Sequence, residues 1–316
     1  MRRGQEAKGP RPYEHLVFRD FPSLLEPGDV LVINDSRVIP ARLLPKRPGG
    51  GRAEVLLVHH EEDGTWRALV RPGQRIHRGT VLTLGESDRI EVVTHLPSGE
   101  RRVRLIGDGG DEGVIARHGH VPLPPYIERA DTPQDRERYQ TVYATTPGSV
   151  AAPTAGLHFT ADVLKRIEGR GARIERVTLH VGPGTFRPVT VDNPSEHHVD
   201  AEAYVLPEAT AAAIRACREA GGHVWAVGTT ALRTLETCAR EDRTAEPGVG
   251  WTSLFVRPGH SFRVVDRLLT NFHLPRSTLL MLVCAFAGTE RVLAAYREAV
   301  ERRYRFYSYG DAMAIL

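Results

Sequence analysis

The amino-acid sequence predicts an α/β protein in which a layered α/β domain carries an inserted small antiparallel β-barrel. Short strand patterns separated by glycine turns follow one another between residues 28 and 107, whereas strand and helix patterns alternate in the second half. The early strand at 29–33 is apolar almost throughout, so it needs cover on both faces, which an α/β sheet provides. We therefore expect residues 1–45 and 115–316 to form one discontinuous α/β domain around an inserted β-barrel domain at 46–114.

The barrel prediction depends on the spacing of short strands. Turn residues such as Asp63-Gly64 and Ser98-Gly99 separate these strands, and such pairs favour tight reversals. Short strands at this even spacing are typical of a small antiparallel barrel. The predicted strands cover residues 53–58, 65–70, 80–84, 89–93 and 102–106.

The second half begins after a Pro-rich passage at 121–127. Thr132 as N-cap and Pro133 at the first helical position predict the start of a helix. The alternation that follows is typical of a layered α/β sheet. Predicted strands cover 173–181, 223–227 and 251–256, and predicted helices cover 207–221, 229–240, 276–287 and 289–303.

Composition indicates a cytoplasmic globular enzyme. Hydrophobic residues make up 41% of the 316, which is too apolar for a disordered chain. The three cysteines lie far apart, so we expect buried thiols in a reducing compartment and no disulfide or metal framework. The longest apolar run, 279–287, is too short to cross a bilayer, so we expect no membrane partner. A net charge of +3 permits a nucleic-acid partner without requiring one.

Four unusual loops predict a functional site in the second half. Gly148–Thr160, Thr178–Phe186, Thr270–Thr278 and Tyr304–Met313 combine glycine or proline with hydroxyl groups and histidine or aromatic side chains. Such stretches suit a backbone that a ligand approaches closely. One of them alone could equally be a buried Gly/Pro connector, but four in one half of a chain indicate a built site.

Three histidines and one carboxylate are candidates for catalysis. His158, His180 and His273 each lie inside one of the loops, where a histidine acts as a general base or orients a ligand. The alternative for each is an ordinary buried histidine. Their spacing matches no zinc pattern, so we predict no metal site. Asp311 follows Gly310 at the end of an aromatic run and can pair with an arginine or bind a hydroxyl group.

Two further segments predict anion or ribose binding. Thr229 and Thr230 follow a strand and a glycine, so their free amides at a helix start suit a carboxylate or phosphate, and Arg233 lies one turn later on the same face. The alternative is a capped helix with an incidental arginine. The stiff loop Gly182–Thr185 also presents backbone amides. Neither segment has the pattern of a dinucleotide-binding turn or a P-loop.

Together these motifs resemble the S-adenosylmethionine:tRNA ribosyltransferase-isomerase family of queuosine biosynthesis. The resemblance extends from about His15 to Met313. Its motifs lie at 27–35, 40–42, 71–73, 119–127, 138–144, 149–160, 178–189, 226–230, 270–278 and 304–313.

The resemblance implies a β-barrel inserted into an α/β domain and a specific transferase reaction. The family uses S-adenosylmethionine as a ribosyl donor and co-substrate, without a cofactor. Its acceptor is the aminomethyl group of 7-aminomethyl-7-deazaguanine at the wobble position of tRNA. The product is epoxyqueuosine-tRNA, and adenine and methionine are released. We accordingly expect a monomeric cytoplasmic enzyme whose partners are tRNA and S-adenosylmethionine.

This reaction assigns roles to the candidate residues. It needs a base, an acid for adenine, an anchor for the methionine carboxylate and cover from water. His158, His180, His273 and Asp311 are the candidates for the proton transfers, and Arg233 with the Thr229–Thr230 amides is the candidate anchor. The remaining predicted substrate-binding residues are Thr154, Gly182, Gly184, Thr185, Glu202, Asn271, Ser277 and Tyr309.

Two features depart from the family pattern. Family members begin with a further segment that ends in an Arg-x-x-Ser-Arg-Leu-Leu-like motif, and this chain starts after it. Where the family shows Met-His-Ser-Glu, the chain has Val199-Asp-Ala-Glu202. Two alternatives therefore stay open: a paralogue that uses S-adenosylmethionine on a small-molecule acceptor, and a non-catalytic tRNA-binding protein. The intact loops favour catalysis.

Overall fold

The computed structural model describes residues 13–124, 126–187, 189–191 and 193–316. These residues form a mixed α/β structure with three sheets, which confirms the predicted class. The strands are β1 (Val30–Asn34), β2 (Ser36–Val38), β3 (Arg42–Leu43), β4 (Glu54–His60), β5 (Trp66–Arg71), β6 (Val81–Leu84), β7 (Asp88–His95), β8 (Arg101–Ile106), β9 (Thr146–Ser149), β10 (Arg173–Leu179), β11 (Glu202–Leu206), β12 (Val224–Val227), β13 (Gly248–Thr252), β14 (Arg267–Asn271) and β15 (Ala312–Ile315). The α-helices are α1 (Gly110–His118), α2 (Asp135–Arg138), α3 (Ala161–Gly169), α4 (Glu208–Glu219), α5 (Gly228–Thr237), α6 (Thr278–Ala287) and α7 (Thr289–Glu301).

The largest sheet has seven strands in the order β13-β11-β10-β1-β12-β14-β15. Its centre is parallel, because β1 pairs with β10 and β12 in the same direction and β12 pairs likewise with β14. Strand β1 has core on both sides. Val30 and Val32 pack with α4 and α5, and Leu31 and Ile33 pack with α3 on the opposite face. This double cover explains why β1 is apolar throughout.

A buried carboxylate joins the start of β1 to the start of β12. Asp29 accepts hydrogen bonds from the backbone amides of Glu26 and His223, at 3.0 and 2.9 Å, and from Nε1 of Trp225 at 2.9 Å. Burial alone would raise the pKa of Asp29, but these donors stabilise the ionised form and hold the pKa below its usual value. The charged group is therefore fully partnered and fixes the register at this edge.

The second sheet has six antiparallel strands in the order β3-β4-β5-β8-β7-β6. Val55, Ile90 and Val103 belong to its core. Lys46, just after β3, and Thr83 of β6 exchange two backbone hydrogen bonds of 2.9 Å, so the first and last strands meet. Bulges in β4 and β7 increase the local twist that such an approach requires.

Polar residues at the end of β1 hold the third, two-stranded sheet of β2 and β9 beside the main sheet. Asn34 exchanges hydrogen bonds with the backbone of Leu179, at 3.1 and 3.0 Å. Asp35 accepts from the hydroxyl groups of Thr178 at 2.7 Å and Thr145 at 2.8 Å. These bonds bring the start of the loop at 148–160 against the end of β10.

Several predicted elements differ from the structure. The helix predicted at Thr132 is only the short α2, which begins at Asp135, and the amide and hydroxyl of Thr132 both donate to the carboxylate of Asp135. The strand predicted at 251–256 lies earlier, as β13. Strands β11, β14 and β15 and helix α3 were not predicted. The five predicted strands between residues 53 and 106 are confirmed.

Two predictions from composition concern membranes and thiols. In the part of the chain that the structure describes, no single helix is long and apolar enough to cross a membrane. Helices α6 and α7 reach that length and composition only as a pair, and they meet at a bend of 114°. The cysteines Cys217, Cys238 and Cys284 are buried free thiols, as expected.

Candidate active site

A cavity of about 280 Å³ opens where strands β10, β12 and β14 end. In open α/β sheets this carboxyl edge is where ligands bind. Each of the four loops singled out by the sequence contributes to its wall. The predicted site residues that line it are Thr154, Thr185, Thr229, Thr230, Asn271, His273 and Ser277.

The first turn of α5 presents backbone amides to this cavity. Gly228 has φ of +83°, a conformation that glycine adopts without steric cost, and this conformation makes the sharp turn from β12 into the helix. The amides in a first helical turn have no partner inside the helix, and they carry the positive end of the helix dipole. Within the described chain, the buried Oγ1 of Thr230 has no hydrogen-bond partner either. This end of the cavity therefore suits an oxygen-rich or anionic group.

An amide side chain links two of the loops across the cavity floor. The Oγ1 of Thr154 donates to Oδ1 of Asn271 at 2.9 Å, and Nδ2 of Asn271 donates to Nε2 of His158 at 3.3 Å. The ring of His158 stacks on Phe18 with centroids 5.0 Å apart. Burial lowers the pKa of His158, and the charge of Asp311 opposes that shift. His158 therefore lies behind Asn271, outside the cavity lining, as a neutral acceptor.

His273 is the predicted histidine that lines the cavity itself. Its Nε2 lies 2.8 Å from Oγ1 of Thr270, and its backbone amide donates to the hydroxyl of Tyr296 at 2.9 Å. Burial lowers the pKa of His273 to about 4. The imidazole is therefore neutral at pH 7, with one ring nitrogen held by Thr270.

Three other predicted residues lie outside the lining. His180 packs its ring against Gly148, its Nδ1 has no partner among the described residues, and burial lowers its pKa. Asp311 accepts a hydrogen bond from the backbone amide of Arg305 at 2.7 Å. Tyr309 is exposed, with its ring 6.0 Å from that of Tyr139.

A second, smaller cavity of about 40 Å³ adjoins the first, since Thr185 and Leu279 line both. Gly184, Glu202 and Arg233 also line it. It is comparable in size to a single carboxylate group. Ten of the fifteen predicted residues therefore line one or both of these adjacent spaces, and the residues that line neither are His158, His180, Gly182, Tyr309 and Asp311.

Arg233 lies in this second cavity, in a buried ion pair with Glu202. Its Nη1 donates to Glu202 and its Nε donates to the carbonyl oxygen of Leu254 at 3.1 Å. The other oxygen of Glu202 accepts from the amide of Gly182 at 2.8 Å. The Nη2 of Arg233 is buried and has no partner in the described part of the chain. One guanidinium donor therefore remains for a ligand.

A family model described as queuosine biosynthesis protein matches residues 5–315. The chain belongs to this family. It is 55% identical to the S-adenosylmethionine:tRNA ribosyltransferase-isomerase of Anaeromyxobacter sp. (strain Fw109-5), over 96% of this chain and 88% of that protein. It is 52% identical to the enzyme of the same name from Symbiobacterium thermophilum, over 96% of this chain and 89% of that protein. The crystal structure of the S-adenosylmethionine tRNA ribosyltransferase from Thermotoga maritima matches 96% of this chain and 88% of its own, with 40% identity and a TM-score of 0.51.

Several residues of this queuosine-family site were not predicted from the sequence. Tyr126, Arg187, Tyr307 and Ser308 also line the main cavity. The aromatic run at 304–309 was a signal for Tyr307, because the loop had been singled out. Tyr126 and Arg187 lie within the family motifs at 119–127 and 178–189, but neither was singled out as a site residue. Among the described residues, no group of three or more His, Cys, Asp or Glu side chains is arranged to hold a metal ion.

Proposed function

We infer that this chain transfers and isomerises the ribosyl moiety of S-adenosylmethionine to 7-aminomethyl-7-deazaguanine at the tRNA wobble position. The names of its relatives state the donor and the acceptor class. The observation that carries the proposal is that all four predicted loops line one cavity at the carboxyl edge of the sheet. The product is epoxyqueuosine-tRNA, with adenine and methionine released.

The adjoining cavities suggest how S-adenosylmethionine binds. We place its adenosine in the larger space, against the first turn of α5 and Asn271, and the carboxylate of its methionine arm in the smaller one. The unpartnered Nη2 of Arg233 then donates to the methionine carboxylate. Gly182 and Gly184 shape the turn between the two spaces, while Thr185 lines both. Glu202 orients the guanidinium and the turn together.

The sulfonium charge makes one positioned base sufficient to start the chemistry. It acidifies the adjacent ribose methylene, and we assign the proton abstraction to His273, because it lines the cavity and is neutral at pH 7. Elimination across C5′ and C4′ breaks the C4′–O4′ bond and leaves an alkene conjugated with the sulfonium, and O4′ becomes an aldehyde oxygen on C1′ as adenine leaves and takes up a proton. The acceptor amine adds to C4′ of that alkene and loses a proton, and the carbanion formed at C5′ attacks the aldehyde carbon to close the five-membered carbon ring. The resulting alkoxide attacks C5′, which closes the epoxide and expels methionine as the neutral thioether.

The other candidates support this step. His158 accepts from Asn271 and thereby orients the amide and Thr154, so we assign it a positioning role. Asp311, whose charge acts on His158, helps to set its proton affinity. We propose that His180 positions the loop at Gly148, that Ser277 contacts substrate within the cavity and that Tyr309 contacts the RNA.

We also propose that residues 46–114 form the inserted β-barrel domain and that 1–45 with 115–316 form the α/β domain, with β3 (Arg42–Leu43) joining the barrel sheet from just before that boundary through its pairing with β4. The two hydrogen bonds between Lys46 and Thr83 support closure of the six-stranded sheet. The pairing of β1 with β10 and β12 supports assignment of the first segment to the α/β domain. We propose a cytoplasmic monomer with S-adenosylmethionine as co-substrate and no cofactor.

The test is release of adenine and methionine from S-adenosylmethionine, measured by chromatography. We expect release with tRNA that carries 7-aminomethyl-7-deazaguanine and none with tRNA that carries guanine at that position. The matched control is the His273→Gln variant, which keeps a side chain able to bond Thr270 but removes the base. Equal release without the modified tRNA would refute the proposed acceptor.

A further inference from the structure

Two exposed arginines lie at the mouth of the main cavity. Arg187 lines this cavity and the smaller one beside it, and Arg276 lies between Pro275 and Ser277, which both line the main cavity. Arg276 has φ of +55°, a left-handed conformation that non-glycine residues adopt at a cost, and that often marks a functional site. In the described part of the chain its guanidinium makes no hydrogen bond or ion pair, whereas its carbonyl oxygen accepts from the amide of Val189 at 2.8 Å.

An aromatic pair forms another part of the cavity wall. Tyr126 and Tyr307 are half-buried, with ring centroids 4.9 Å apart. Their positions are held by Ser308, whose amide donates to the Tyr126 hydroxyl at 2.9 Å and whose hydroxyl accepts from it. Tyr307 also has a positive φ, 72°, so its backbone is held in an unfavourable conformation by the loop around it.

We propose that this rim is the RNA-recognition element of the site. Arg187 and Arg276 contact the phosphates that flank the wobble nucleotide, and Tyr307 stacks on its base as it enters the cavity. Planar guanidinium groups suit phosphate, and unstacked bases in RNA loops are bound on aromatic side chains. The inference rests on the proposed function in one respect, namely that the acceptor is a nucleotide in an RNA loop.

Asp200 competes with an RNA phosphate for the guanidinium of Arg187. Its carboxylate lies 3.2 Å from Nη1 of Arg187, and both side chains are about half exposed, at 50% and 52%. An exposed ion pair of this kind is weak, so a phosphate can displace the carboxylate at little cost. Removing the charge of Asp200 should therefore strengthen RNA binding.

The experiment measures binding of a synthetic anticodon stem-loop that carries 7-aminomethyl-7-deazaguanine, without S-adenosylmethionine, over a range of salt concentrations. Arg276→Asn removes the charge with a residue that tolerates positive φ, and Arg276→Lys keeps the charge. We expect Arg276→Asn to bind the stem-loop about tenfold more weakly. The plot of log K for binding against log salt concentration should become shallower by about 0.7, the value for one lost phosphate contact on a single strand. Arg276→Lys should keep the wild-type slope.

The matched control is Arg166→Ala. Arg166 is exposed in the last turn of α3, at the opposite edge of the sheet, where β10 begins. This variant should keep the wild-type affinity and slope. Asp200→Asn should bind more tightly than wild type, and Tyr307→Ala about tenfold more weakly with an unchanged slope, because stacking involves no counterion release.

An unchanged slope in Arg276→Asn overturns the phosphate contact, and unchanged affinity in Tyr307→Ala overturns the stacking. Both results are independent of the proposed function. If the wild type transfers ribosyl groups while the variants bind RNA normally, only the rim inference fails. If the variants bind as expected but the wild type transfers nothing, the proposed reaction fails and the RNA site stands.

Discussion

Replacing Arg233 tests the link between the buried ion pair and binding of the methionine arm. In Arg233→Ala, Glu202 would keep its bond from Gly182 but lose its positive partner while it stays buried. An uncompensated buried charge costs about 3–5 kcal/mol, so the variant should unfold at lower urea concentration. Loss of the contact to the substrate carboxylate should add a separate loss of about 2–4 kcal/mol in S-adenosylmethionine affinity.

A paired substitution separates the two effects. Arg233→Met with Glu202→Gln removes both charges and keeps an oxygen for the Gly182 amide. Replacing a buried ion pair by neutral groups of similar volume is often neutral for stability, so this variant should recover most of the unfolding free energy. Its S-adenosylmethionine affinity should stay about 30- to 1,000-fold below that of wild type, which corresponds to the same 2–4 kcal/mol.

Urea unfolding and calorimetric titration measure the two quantities. The control is Arg218→Met with Asp266→Asn, an ion pair of similar burial, with side chains 16% and 13% exposed, at the start of β14. That edge is opposite the cavity, so ligand affinity should stay at the wild-type value, and most of the unfolding free energy should be retained as in the first double variant. Wild-type S-adenosylmethionine affinity in the Arg233→Met, Glu202→Gln protein would refute the anchor.

Two further predictions concern the histidines. His158→Phe keeps the stacking on Phe18 but removes the hydrogen-bond acceptor for Asn271. We therefore expect kcat to fall by up to about 100-fold with little change in the unfolding midpoint. An unchanged kcat would exclude a positioning role for His158. The pKa of His273 is about 4, so the single-turnover rate should be constant from about pH 6 to 8 and should fall only as the pH drops through about 4. A rate profile with its midpoint near pH 6.5, the usual pKa of histidine, would argue against His273 as the base. The pKa of His273 is about 4 in the folded protein and about 6.5 in the unfolded chain, so between these values the unfolded chain binds more protons. The contribution of neutral His273 to the free energy of unfolding is therefore complete above about pH 6.5 and is lost as the pH falls toward 4.

Much of the cavity could be predicted because its loops are chemically unusual on their own. Residues such as Thr154, Asn271 and His273 lie in segments that suit neither a core strand nor a core helix, and such segments gather at the carboxyl edge of a parallel sheet. The apolar pattern of β1 likewise indicated its place inside the sheet, since a strand covered on both faces has no polar side.

Other features depend on contacts that no local pattern contains. The ion pair of Arg233 with Glu202 joins residues 31 positions apart, and it could not be inferred from the helix position of Arg233. Tyr126 is held at the site by Ser308, 182 positions later. Arg276 lies in the predicted loop at 270–278, but the features that distinguish it, its positive φ and its place between two lining residues, appear only in the structure.

The most direct test of the central claim is the fate of two labels in one S-adenosylmethionine molecule. The donor carries one label in its ribose carbons and a different label in its methyl group, and the acceptor is tRNA with 7-aminomethyl-7-deazaguanine. We expect the ribose label to appear in the tRNA and the methyl label to leave with free methionine. Methyl label in the tRNA, with the ribose label left in a soluble nucleoside product, would contradict this expectation.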